Sequence, residues 1–424
     1  MLQTGLIANA HNDLVTDASY DFYGLRLATC SLDQRIKIWQ LDESNGSWRV
    51  EDDWKAHDAA ISKVSWAHPE FGSIIASASF DRTVKVWEQT SAVDSDGPQV
   101  NGGAGPSSAS RWVERAVLVD AKGTVRAVEF APHHFGLKLA TVSSDNHLRV
   151  YECVEQRSLT PWELAEEIDV LSLPSASPAA GALSVTLATP TQTSAPLDGV
   201  SVSMVAHALQ QQQQQSQMPS RPGMGHREAD GGWTISWCKD RYWGEIIAAG
   251  CGITGVVKIV HLPPSRRPVT LLTLDSTPSD GAPKSIPSLD DTPPPYAITS
   301  VAWAPSCGRS YHLIATGGRD GHVRIWRVKP PTPSDELEAE GEPDTSEGNW
   351  SASIVGDFDD HKSAVGRVEW NITGTILSSA GNDGRIRLWK VTAGNVWRPA
   401  GHVSIEQAEE QRPDVEMEDT PLAE

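Results

Sequence analysis

Apolar and polar residues alternate with a period of two through most of this chain, in short stretches bounded by turn-forming residues. Ile61-Ser-Lys-Val-Ser-Trp66 is one such stretch, and Arg35-Ile-Lys-Ile-Trp39 is another. This period puts successive side chains on opposite faces of an extended strand, whereas a helix needs a 3.6-residue period. The stretches come in sets. Each set opens on an alternating strand. A turn follows, then a strand of small residues: LATCS, IASAS, LATVS, IATGG and LSSAG. An Asp marks a tight turn into a third strand, and five residues separate that Asp from an aromatic. The pairs are Asp33 with Trp39, Asp81 with Trp87, Asp145 with Tyr151, Asp320 with Trp326, and Asp383 with Trp389. A sixth copy, Thr254–Val260, keeps the alternation and loses both end residues. A fourth, outer strand follows, as at Trp48–Trp54.

A unit of about 40–45 residues built from four short strands predicts an all-β, six-bladed β-propeller. Small residues in the second strand let blades stack, and the aromatic fills the space between neighbours. The expected blades are 11–55, 56–119, 120–169, 230–274, 296–357 and 358–405. Segments 91–110, 171–229, 275–295 and 330–348 are rich in Ser, Gly, Pro, Gln or acid. They cannot bury a core and read as disordered insertions, with 406–424 an acidic tail.

Composition sharpens this picture. The chain has 424 residues, with 16 Trp against six Tyr and six Phe, which is the signature of the repeat. The net charge of −20 argues against a phosphate-backbone binder. Ten Asp/Glu without any Lys/Arg lie in 331–361, and eight with one Arg lie in 404–424, so these two segments carry −17 of it. Such runs read as solvated. Neither an 18-residue apolar run nor a secretory leader is expected. The five Cys show no CxxC spacing and read as reduced thiols of a cytosolic or nuclear protein.

Candidate chemistry is sparse. His57, Ser79 and Asp81 recur, less completely, as His11, Ser31 and Asp33, which suggests a hydrolase triad. A catalytic triad occurs once, however, and this set repeats with the aromatic. The reading is therefore structural: Asp, His and a hydroxyl pin the third strand. His361 and Asp383 belong to the same set. Gly318 and Gly381 replace the hydroxyl two residues before the Asp, so the set reads as incomplete in the last two units. His133-His134 does not read as a metal site, and neither cofactor nor metal is expected.

The ring should be open. Six units of four strands use the chain up, and residues 1–10 offer one short strand with no incomplete unit to join. Blades one and six would then face each other unsealed.

The Asp-x5-Trp units resemble WD40 repeats, without the Trp-Asp dipeptide. Longer blocks resemble one subfamily more closely: DLVTDASYDFYGLRLATCS from Asp13, WKAHDAAISKVSWAHPEFGSIIASASFDRTVKVWE from Trp54, FAPHHFGLKLAT from Phe130, SVAWAPSCGRSYHLIATGGRDGHVRIW from Ser300 and WNITGTILSSAGNDGRIRLWK from Trp370. These look like the Seh-one nucleoporins, sisters of the Sec-thirteen coat proteins. The resemblance implies a non-catalytic scaffold of the Y-shaped complex of the nuclear pore, at the nuclear envelope, serving mRNA and protein transport. It also implies sharing with the SEA assembly at the vacuolar or lysosomal membrane. The implied partner is an α-solenoid nucleoporin, the one called eighty-five, which completes the propeller in trans by β-addition. By position, its contacts would include Leu6, Ile7, His11, Leu14 and Val15 of blade one and Val396 and Trp397 of blade six. A second reading is a generic WD40 adaptor that binds peptides in a ubiquitin ligase or signalling complex.

Overall fold

The computed structural model describes residues 7–90, 111–173, 230–264, 267–275, 296–331 and 350–404. The expected insertions, apart from their ends, lie outside these residues, as do Leu6 and the acidic tail. The described residues form six four-stranded antiparallel sheets, each strand pairing with the next in sequence. The first strands are Val15–Tyr20, Ile61–Trp66, Val125–Phe130, Gly232–Trp237, Ile298–Trp303 and Val365–Trp370. They stand side by side around a central channel of about 270 Å³, lined by Ser19, Lys63, Glu129, Ser236, Ser300 and Arg367 among others. The outer strands run Ser47–Lys55, Arg111–Leu118, Trp162–Asp169, Val269–Asp275, Ser351–Phe358 and Trp397–Ser404.

The alternation in the third strand explains the stacking. In blade one, Ile36 and Ile38 point forward and pack with Ile61, Val64, Ile75, Trp87 and Trp112 of blade two. Trp87 points back from blade two into that same layer. Equivalent layers join blades two and three, three and four, four and five, and five and six. Among the described residues, no such layer joins blade six to blade one. Burying each aliphatic in these layers stabilises the ring by about 1.5–3 kcal/mol.

Candidate functional site: the seam between blades six and one

The recurring His and Asp build a relay inside blades one, two and six. In blade two, the His57 Nδ1 lies 2.9 Å from Asp81 Oδ2, and its Nε2 lies 2.7 Å from Ser77 Oγ. The Trp87 indole N–H donates to the same hydroxyl at 3.0 Å. Blade one repeats this with His11, Asp33, Thr29 and Trp39, and blade six with His361, Asp383, Ser379 and Trp389. The relay hydroxyl is therefore four residues before the Asp, not two. Ser79 instead accepts the Asp81 amide at 3.1 Å and donates to the Ala60 carbonyl at 2.9 Å, shaping the turn. Gly318 and Gly381 consequently leave no gap: Thr316 accepts the Trp326 indole at 3.0 Å, and Ser379 completes the set in blade six. Blade three replaces the His with Arg149, whose side chain is fully buried and which donates to Asp145 and Ser143. In blade five, Arg324 pairs with Asp320.

This geometry holds strands together. Ser77 is fully buried, its hydroxyl held between the Trp87 indole N–H and the His57 imidazole. The carboxylates are held charged. Burial works against the Asp383 charge, but hydrogen bonds from Arg387, His361 and the Arg385 amide outweigh it and bring the carboxyl down to about 2. Asp81 and Asp145 lie well below the usual carboxylate range for the same kind of reason. Burial pushes the Cys238 thiol up to about 12, and Cys30 and Cys251 also rise, so these thiols stay protonated. No group of three or more potential metal ligands occurs among the described residues.

Two of the expected partner contacts are internal. The His11 side chain is inaccessible, held between Asp33 and Thr29, because it is the relay histidine of blade one. Trp397 is buried against Trp370, at 5.4 Å between ring centres, in the layer joining blades five and six, away from the seam. Leu14, Val15 and Val396 are exposed, and Ile7 is half-buried.

The seam itself is the distinctive surface. Strand register defines equivalent positions around the ring. Val15 stands where Ile61, Val125, Ile298 and Val365 stand in other blades. Those four are at most 5% exposed, and Val15 is 48% exposed. Ile386 stands where Ile36, Val84, Leu148, Val257 and Val323 stand. Those five are at most 2% exposed, and Ile386 is 46% exposed. Tyr20 and Val50 on the blade-one side are similarly open, and Tyr20 packs against Trp48 at 5.8 Å. Residues built to be interior face water on both walls.

Two of the hydrogen bonds that recur between neighbouring blades have no counterpart here among the described residues. The Thr16 hydroxyl donates to the Ile61 carbonyl of the next blade at 2.7 Å, Ser62 does the same to Val125 at 2.7 Å, and Thr299 does so to Val365. The corresponding residue of blade six is Gly366. Trp66, Trp237 and Trp370 donate their indole N–H to a carbonyl of the preceding blade at 2.9, 3.2 and 3.0 Å. The corresponding residue of blade one is Tyr20. Sequence reading missed Tyr20, Ile386, Gly366 and Arg367. The signal was present as departures from repeat columns, but only a known register aligns those columns.

Comparison with known proteins agrees with this architecture. A family model described as "WD domain, G-beta repeat" matches residues 4–40, 48–88, 290–327 and 352–390. Sqt1 of Chaetomium thermophilum, solved bound to the N-terminus of ribosomal protein L10, is similar at a TM-score of 0.50 and 18% identity, covering 93% of this chain and 76% of that one. That likeness concerns the fold alone. Nucleoporin SEH1 of Saccharomyces cerevisiae is 32% identical over 433 residues, covering 94% of this chain and 99% of that protein. Nucleoporin seh1 of Schizosaccharomyces pombe is 31% identical, covering 96% and 97%, and human nucleoporin SEH1 is 33% identical, covering 93% and 86%. With six blades, the repeat relay and identity sustained along nearly the whole length, this chain belongs to the SEH1 family of nucleoporins.

Proposed function

We propose that this protein is a structural subunit of the nuclear pore, acting without catalysis, and that its open seam receives a β-blade from another subunit. Within the Y-shaped complex the partner is the α-solenoid nucleoporin called eighty-five, and the site of action is the nuclear envelope, in support of mRNA and protein transport. One observation carries the reading: Val15 and Ile386 are aliphatics at repeat positions that are interior in other blades, and they stand open on the two facing walls. An inserted blade would return both to the environment their equivalents have, through the same face-to-face stacking.

Affinity purification of the tagged full chain from nuclear envelopes tests the assembly, with a photo-crosslinking residue at Ile386 in one preparation and at Ile36 in another. A stoichiometric solenoid nucleoporin, crosslinked from Ile386 and not from Ile36, is expected. Recovery of the solenoid with crosslinks confined to another face would refute seam docking. Recovery of a ubiquitin-ligase core instead would refute the scaffold role.

A further inference from the structure

The junctions between successive blades combine apolar layers with hydrogen bonds from main chain and side chain. The seam is crossed differently. Arg367, on the first strand of blade six, reaches over to blade one. Its Nη1 donates to Asp17 Oδ1 and to the Ala18 carbonyl, the latter at 2.8 Å. Its Nε lies 3.2 Å from Glu369 on its own strand. The second Asp17 oxygen accepts the Val64 amide of blade two at 3.2 Å, which fixes the carboxylate in place as a receiver. Beyond this bridge the walls part, leaving Val15, Tyr20 and Ile386 exposed. The free ring is therefore drawn together at its inner edge by a charged side chain and left apart further out.

We propose that Arg367 is a latch on the empty seam, and that the incoming blade displaces it by offering substitute partners. The inference rests on the reading that a partner blade enters here, and it specifies that blade's chemistry. Packed β-layers need about 10 Å between them, so a strand cannot stand between Val15–Tyr20 and Val365–Trp370 while Arg367 spans the two. The guanidinium cannot shed its charge, so leaving Asp17 requires a new oxygen acceptor. The innermost strand of the entering blade therefore presents a carboxylate or a main-chain carbonyl to Arg367. It also places a Ser or Thr hydroxyl against the Val15 carbonyl, which no hydroxyl among the described residues reaches. The Arg367 side chain is about one-third exposed. A charge-assisted bond in that setting is strong enough to hold the ring and weak enough to exchange.

The test uses the full chain. Hydrogen exchange is followed in free wild type, Arg367→Ala and Arg367→Lys. The alanine variant should exchange roughly tenfold faster in Val15–Tyr20 and Val365–Trp370, with Val125–Phe130 unchanged. Arg367→Lys, which keeps the charge, should fall between. Equal rates in all three would overturn the latch whatever the partner does. Association with the purified solenoid nucleoporin is then timed. Arg367→Ala should associate several-fold faster. Gly366→Thr should associate more slowly, because its hydroxyl hooks the Val15 carbonyl in cis. The threonine has room, since a Cβ at Gly366 meets nothing nearer than 3.8 Å. Unchanged association rates in both variants would also overturn the latch. If wild type and variants alike fail to bind, the seam reading itself fails, even where the exchange result holds.

Discussion

Ile36 and Ile386 hold the same place in the repeat, three residues after the turn Asp, yet substituting each with alanine should have very different costs. Ile36 is fully buried among Ala28, Cys30, Ile38, Ile61, Val64 and Trp87. Truncating it removes buried methyl and methylene groups and leaves a cavity between blades one and two. Comparable deletions cost about 2–5 kcal/mol, and the density of this layer places Ile36→Ala near 3–4 kcal/mol. Ile386 is 46% exposed. Roughly half its transfer free energy is never realised in the free chain, and the space left by truncation opens to water instead of forming a void. Ile386→Ala should therefore cost about 1 kcal/mol or less. Urea unfolding of the two full-length variants, followed by tryptophan fluorescence, measures the difference of about 2–3 kcal/mol. Adding the solenoid partner should reverse the order of interest. Ile386→Ala should then weaken the complex by about 1–2 kcal/mol, since the side chain becomes interior only when the seam is filled. Equal destabilisation of the two free variants would mean that the seam is closed without a partner, and the reasoning would fail at its root.

Three further outcomes follow from the same geometry. Trp87→Ala should cost about 3–5 kcal/mol by opening the layer between blades one and two, read as a lower thermal midpoint; an unchanged midpoint with lost partner binding would make Trp87 an interface residue. Ser77→Ala should cost about 2–3 kcal/mol, because both the Trp87 indole and His57 lose a buried partner; a neutral result would remove the relay from the account of stability. His312 is enclosed by Trp243, Trp303 and Trp350. Burial, aided by the nearby Arg309 cation and opposed by Asp240, holds its pKa below the ordinary histidine value. The unfolded chain therefore takes up this proton first as pH falls below about 6.5, and stability should decline toward pH 5 relative to pH 8. His312→Leu should flatten that slope in urea midpoints taken at the two pH values, and a steeper slope would contradict the sign.

The order of strands and the stacking of blades were written in local features. The Asp-x5-aromatic spacing marks a turn and the strand leaving it. Small residues in the second strand and alternating aliphatics in the third are requirements of period-two pairing between close sheets. Each is satisfied within about 40 residues, so each leaves a mark in the chain. The relay hydroxyl was harder to place. Ser77 and Ser79 have the same parity and face the same side of their strand, so alternation cannot choose between them. Pairing of Ile75 with Trp87 settles it, because from there the indole reaches back to Ser77, while Ser79 pairs with Ile61 at the far end of the strand. The strand count showed that the ring's two ends are unsealed, but not which residues there stay exposed. Val15 and Ile61 look alike in sequence, as do Ile386 and Ile36, and each is an aliphatic on the face meant for a neighbour. Whether that neighbour exists depends on contacts between residues about 350 positions apart, such as Arg367 and Asp17. No local pattern encodes such a distance, so the particular residues that stay open, such as Ile386 and Tyr20, emerge only when six nearly equivalent blades are set around one axis.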